Sequence, residues 1–573
     1  MEHSRRALLR VAVAGVAGGV AGCSDRPTDT TPTASPTDAG TDTASPTPKD
    51  PSYGYSGATI PESPQVGNQA PPPLAAGPHP DVQNPVLTPA DVTDYGDVQS
   101  VTDPFLFVEE GTFHLFFEVL SADRDPKAVI GHATSPDGLE WTYDQVVIEP
   151  DAFTSWPYVW KWDGEYYMAP YSGQRTEIWR ATSFPTDWER VAVPLTADYP
   201  PHDPAFVRWD DRWWLFVGRP GESGAVDTQT LAFHSDTLVA DDWTPHEGNP
   251  IVSGREQGAR PGGRPVRCGD DRYLFFQGAL DQYGDKVRAY RITELSPTSY
   301  ADEEVASSPV ASEFGIGYNA EGMHTYDPWY LGQGEGWLCA VDGKRPGRWT
   351  GIGLFHVPES IEPASASLGL DREPGLYYRF GIEGGVAVDD SGSGQHGMVR
   401  GTEPTEDGLA GGRRFPEPTD RVVAPYDLRS TLDGQWTLLA YAAPGGDGTE
   451  TLWDYRKRGT PSWLTVERTG GRWRVAYTGE TGEETLSASA TDGSGPVQVA
   501  VVGGRDATRL YLDGDEVARG AAPAVAQINN YLTIGADLRG ESPWSGTVAQ
   551  VGAFGSALTS AELDRVDERL RDG

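Results

Sequence analysis

Cysteine is nearly absent from this chain, with three residues in 573. Lysine is almost as scarce, six of the 45 basic residues, the rest being arginine. No cysteine–histidine cluster has the spacing of a zinc site. No glycine-rich loop leads into a helix as phosphate binding requires. No basic patch offsets the 84 acidic residues, so a nucleic-acid partner is not expected. The apolar run Val11 to Gly22 is too short to cross a bilayer as a mature helix and reads as a signal region.

What is present is acid, glycine, proline and aromatics. The formal net charge is −39 and the sequence pI about 4.5. Acid spread over folded-looking regions makes a solvated surface. Together with the scarcity of lysine it resembles proteins of salt-loving archaea. Ser4-Arg5-Arg6-Ala7-Leu8-Leu9-Arg10 has the twin-arginine form, and Val20-Ala21-Gly22-Cys23 resembles a lipobox. The resemblance implies export in a folded state, cleavage before Cys23 and a lipid on its thiol. The expected location is the extracytoplasmic face of the membrane, with the lipid as the only membrane contact. Residues 24–59 are rich in Thr, Pro, Ser, Asp and Gly, a stalk that cannot bury a core. The remaining thiols, Cys268 and Cys339, either pair outside the cell or stay separate and buried.

A hairpin unit then recurs. VTDPFLFVEEGTFHLFFE at 101–118 is a strand opened by Asp-Pro, a polar turn and a second strand. Related units are SWPYVWKWDGEYYMAPY at 155–171, DPAFVRWDDRWWLFVG at 203–218, GRPVRCGDDRYLFFQG at 263–278 and GMHTYDPWYLGQGEGWLCAVDG at 322–343. One hairpin cannot bury both faces. Five units, each with a third readable strand and a fourth less clear, predict a five-bladed β-propeller over residues 60–360. After a break near 358–374 the style changes. Residues 375–573 hold Asp389-Asp390-Ser391-Gly392 with His396-Gly397, then Leu510-Tyr511-Leu512-Asp513-Gly514, and end in an amphipathic helix. This resembles the laminin-G/concanavalin-A-like jelly roll. The fold class is therefore all-β, a propeller followed by a β-jelly roll.

Radial closure brings the openings of the five units to one mouth. Asp103, Trp156, Asp203, Arg260, Arg264 and His324 converge there, a set suited to sugar. Carboxylates and guanidinium bond hydroxyls, and an aromatic face stacks on a ring. Five of them have a bland alternative. An Asp before Pro often caps a turn, so Asp103 and Asp203 are site or cap. Arg260 and Arg264 are substrate contacts or inter-blade salt bridges, and His324 is a contact or a core histidine. Asp389, Asp390 and Ser391 suit either a calcium ion or a tight Asx turn. Calcium is the one cofactor the residues suggest, and none is required.

The Asp-Pro hairpins resemble the five-bladed glycosidases of glycoside hydrolase families 43, 32 and 130. A closer resemblance is to the propeller N-terminal to plant glucosamine inositolphosphorylceramide transferases. It is carried by DPFLF…HLFFE at 103–118, Phe184-Pro185…Trp188, Ala259-Arg260-Pro261-Gly262-Gly263, Gln277…Tyr283-Gly284 and Gly322-Met323-His324-Thr325…Val341-Asp342-Gly343. The glycosidase pattern implies Asp103 as base, and the closer family's motif implies Gln277 and Tyr283 as substrate contacts. The tuning Asp of the glycosidases has no counterpart, because the second unit opens Ser155-Trp156-Pro157. The closer family's Pro-Glu-Ser is Pro170-Tyr171-Ser172 here. Glu118, Glu256 and Glu321 are the candidate acids, Glu118 otherwise bonding a backbone amide. The expectation is a surface lipoprotein acting on glycosidic bonds of a polysaccharide, with a carbohydrate-binding jelly roll. The alternatives are a glycan-binding adhesion protein without turnover and a glycosyltransferase accessory.

Overall fold

The computed structural model describes Gln65–Val66 and residues 72–572, apart from 75, 151, 222–225, 280–281, 306–307, 314–316, 333–334, 358–367, 381–385, 392–394, 406–411, 425–430, 433, 458, 490–494 and 527–529. The twin-arginine region, Cys23 and the stalk at 24–59 lie outside the described residues.

Five sheets form the propeller, their consecutive blade strands antiparallel. Blade one is Val98–Glu109, Thr112–Ser121, Ala128–Ser135 and Thr142–Ile148. Blade two is Ser155–Trp162, Glu165–Ser172, Arg175–Ser183 and Asp187–Thr196. Blade three runs His202–Trp209, Arg212–Pro220, Asp227–Ser235 and Thr244–Pro245. Blade four centres on Val266–Cys268, Asp271–Gln277, Lys286–Ser296 and Ser299–Glu304, and blade five on Tyr326–Gly332, Gly336–Arg345 and Arg348–Val357. Inner strands touch neighbouring blades on both faces and so read as unbroken apolar runs; Ser100 to Val108 is buried throughout. Outer strands such as Thr142–Ile148 are half-exposed and polar, which hid them in the sequence.

Blade five is completed from the other end of the chain. Gly77–Pro78 pairs antiparallel with Arg348–Val357, and Gln65–Val66 pairs parallel with Val266–Cys268. The ring is pinned on its axis by Arg264. Its fully buried guanidinium donates to Asp327 Oδ1 at 2.8 Å, to Val159 O at 2.9 Å and to Leu106 O at 2.7 Å. One side chain of blade four thereby joins blades one, two and five. Cys268 and Cys339 are separate free thiols; Cys339 is buried and donates to Tyr326 Oη at 3.2 Å.

The jelly roll is two eight-stranded sheets closed over a core of Trp436, Trp453, Trp473 and Trp544. The helix Ser560–Asp572 packs Leu563 and Val566 against Leu439 and Tyr441. The jelly roll lies against blades four and five. Tyr531 donates to Glu313 Oε1 at 2.5 Å, and Glu313 also takes a bond from the buried Lys286 at 3.2 Å. Gly77 passes so close to the His396 ring that any Cβ would lie 2.0 Å from it.

Candidate functional site

Three blades open with the same backbone device. Asp103, Trp156 and Asp203 each precede proline and adopt positive φ, at 53°, 56° and 54°. At each, the strand register slips, between Thr102 and Phe105, Ser155 and Tyr158, and His202 and Ala205. A bulge of this kind re-aims a side chain beside a site. The second strands supply a matching ring. Glu118, Tyr171, Gly218 and Gln277 pair in register with Thr102, Ser155, His202 and Arg260, and Asp342 holds the corresponding place in blade five. Gly218 must lack a side chain, since its Cβ would meet Asp227 Oδ2 at 2.9 Å and the Arg260 backbone at 3.1 Å.

The bulges and this ring build a buried polar well. Asp103 accepts from Thr325 Oγ1 at 3.3 Å and from the Trp156 N–H at 3.3 Å, with His324 Nε2 3.5 Å away. Burial pushes its carboxyl well above the usual range; His324 opposes this, while Glu118, Asp203 and Asp342 add to it. Glu118 shares hydrogen bonds with Asp103 and Ser155, and burial with the nearby Asp203 charge pushes it up to about 8. The pair therefore keeps a proton at neutral pH. Beside it, Arg260 grips Asp203 through Nε at 2.5 Å and Nη2 at 3.0 Å, and Gln277 Nε2 also donates to Asp203. Charge-assisted, two-point contact of this kind fixes orientation as well as ionisation.

His324 is held by Asp342. The two side chains form a short ion pair, and Asp342 also accepts the His324 and Thr325 N–H groups at 2.8 and 3.1 Å and Thr102 Oγ1 at 2.7 Å. Burial opposes both charges. The partner's charge outweighs it, so His324 is raised and Asp342 lowered. The imidazole stacks on Trp349, ring centres 3.8 Å apart, with the Tyr283 edge 5.5 Å away. Ligand atoms of Asp103, His324 and Asp342 lie within 4.8 Å of one another, the one such grouping among the described residues. Protein donors already engage both Asp342 oxygens.

The other expected residues fall elsewhere. The Trp156 indole is fully buried, edge-on to Phe105 and bonded to Pro204 O at 3.0 Å, so it offers no face to a ligand. Arg264 is the axial pin described above, the inter-blade alternative. Glu256 is exposed, and Glu321 is half-buried with its N–H on Lys344 O. Of the three candidate acids, Glu118 is the one that meets Asp103. In the jelly roll, Asp389 accepts the N–H groups of Tyr377, Ser391 and Gln395 and the Ser391 hydroxyl, while Asp390 pairs with Arg379. The Asp389 oxygens are thus turned to protein donors, as in the Asx-turn alternative.

Sequence reasoning missed Asp342, His202 and Asp227. His202 Nδ1 lies 2.8 Å from Asp227 Oδ2, and Asp227 in turn lies 3.7 Å from Arg260. Aligning the second strands as HLFFE, YYMAPY, LFVG, LFFQ and CAVD exposes Asp342 as the partner of Glu118 and Gln277. No comparable pattern marks Asp227, which enters on a third strand.

Comparison with known proteins follows the same division. Residues 418–564 match the concanavalin A-like lectin/glucanases superfamily. Among solved structures, Trypanosoma rangeli sialidase in complex with sialic acid is 13% identical, covering 87% of this chain and 99% of that one at a TM-score of 0.33. That likeness is too slight to bear on the site. Residues 74–344 match the family described as glucosamine inositolphosphorylceramide transferase 1, N-terminal. The chain is 34% identical over 274 residues to that transferase from Oryza sativa subsp. japonica and 33% over 281 residues to the one from Arabidopsis thaliana. The match takes in 46% and 48% of this chain and 36% of each relative, so the chain spans about a third of their length. The propeller is thus similar to the N-terminal part of these transferases, and the jelly roll to lectin and glucanase domains.

Proposed function

We propose that this is an exported, lipid-anchored protein that takes a glycan into the propeller mouth and acts there on a glycosidic bond. The observation that carries the reading is the Asp103–Glu118 pair, buried, hydrogen-bonded and holding a proton at neutral pH. Glu118 gives that proton to the leaving oxygen as the C–O bond breaks. Asp103 takes one from the attacking water, whose oxygen bonds to the sugar carbon. Arg260, Gln277, Tyr283 and His324 are the sugar contacts. The jelly roll keeps the chain of sugars close, raising its effective concentration. Similarity to lectin, glucanase and glucosamine inositolphosphorylceramide transferase sequences supports a glycan as the ligand. The twin-arginine and lipobox residues support the tethered location.

A second reading, glycan binding without turnover, is favoured by two observations. Glycosidase carboxyls stand about 5–10 Å apart, whereas these two touch. Blade two also offers Trp156 where a carboxylate is expected. The test is a polysaccharide screen in high salt, reading reducing ends and binding together. Turnover that drops by about 10²-fold or more in Glu118→Gln and Asp103→Asn supports the first reading. Saturable binding with no release moves the site to the second.

A further inference from the structure

Next to the Asp203–Arg260 clamp is a cavity of about 60 Å³ that the well does not account for. It is lined by His202, Pro220, Val226, Arg260, Gln277, Ala279 and Tyr283 among others. That is space for about four water-sized atoms, the size of one substituent on a sugar rather than a ring. Its walls are mixed. Pro220, Val226 and Ala279 give an apolar side. Arg260 spends Nε and Nη2 on Asp203, leaving Nη1 as a donor, and the Tyr283 hydroxyl has no hydrogen-bond partner among the described residues. Gln277 supplies the opposite polarity. Its Nε2 donates to Asp203 and to Pro261 O, which fixes the amide's orientation, and its buried Oε1 is left with no donor among the described residues. A buried acceptor without a donor is costly.

We infer that this cavity is a subsite for the acetamido group of an N-acetylhexosamine. The requirements match one to one. The amide N–H satisfies Gln277 Oε1, the carbonyl oxygen accepts from Arg260 Nη1 and Tyr283 Oη, and the methyl lies on Val226 and Ala279. A carboxylate of similar size fits poorly. It has no N–H for Gln277, and it would be buried beside Asp203 and Asp227. A free ammonium would face Arg260 and leave the apolar wall uncovered.

The inference rests on the glycan reading above and deepens it. The test is direct binding, by ligand-observed NMR and calorimetry on the full chain, with N-acetylglucosamine, N-acetylgalactosamine, glucosamine, glucose and glucuronate. At least one N-acetylated sugar binds about tenfold or more tightly than glucose. Ala279→Leu, which fills the apolar side, brings it down to the glucose level while glucose binding stays as it was. Equal binding of glucose and both N-acetylated sugars, or preference for glucuronate, overturns the subsite and leaves the glycan reading standing. Binding of none of the five overturns both.

Discussion

Glu118 and Asp103 meet across the first hairpin of blade one, two carboxyl groups sharing a hydrogen bond inside a well that also holds Asp203 and Asp342. Carboxyls crowd together in this way when they need not all be ionised at once. Arg260 answers Asp203 and His324 answers Asp342. The Glu118–Asp103 pair answers itself by keeping a proton.

That proton has a thermodynamic signature. Glu118 titrates near 8 in the folded chain against about 4.5 unfolded. Between those values the folded state holds a proton the unfolded state has released. Stability therefore falls as pH rises through this window, by about 1.4 kcal/mol per pH unit from this one group. Glu118→Gln removes its share of the slope. Denaturant midpoints at pH 5, 6, 7 and 8 check it, and identical slopes in the two proteins would count against a raised Glu118. Any turnover by the pair also fades above about pH 8, as its proton is lost.

The grip of Arg260 on Asp203 depends on shape as well as charge. A lysine keeps the charge but cannot make two parallel bonds. Arg260→Lys is expected to weaken glycan binding by about tenfold or more, measured by calorimetry with whichever sugar the screen returns. Binding at the wild-type level would mean that charge alone suffices.

Arg264 is a structural residue by the same kind of reasoning. Removing it leaves Asp327, fully buried and already pushed up to about 6 by burial despite its partner, without a countercharge. Arg264→Met should cost about 3–5 kcal/mol, and Arg264→Met with Asp327→Leu should recover most of that. Guanidinium denaturation reads both. A loss under about 1 kcal/mol in the single variant would show that the pin bears little load.

The sequence carried the repeat plainly, because each inner hairpin is a buried aromatic run around a polar turn. Asp103, Glu118, Asp203, Arg260, Gln277 and His324 were legible as mouth residues because they sit at fixed places in that repeat, and Tyr283, on the loop after Gln277, through the family motif. Trp156 and Arg264 occupy equally regular places and point into the packing between blades. The difference lies in the backbone. Positive φ turns Asp103 and Asp203 toward the well, but the same bulge at Trp156 buries an indole, and Arg264 has no such bulge. Asp227 was invisible because its meeting with His202 and Arg260 is set by hairpin register, which a single sequence does not display.

Blade five has one remaining implication. Its outermost strand, Gly77–Pro78, comes from a segment ahead of blade one. The ring therefore cannot be fastened until all five units exist and the stretch ahead of blade one returns to buckle onto the last. Cutting the chain between residues 78 and 98 would separate that buckle from the belt without touching a single mouth residue. A molecule assembled in this order is finished all at once, with no partly built mouth open along the way.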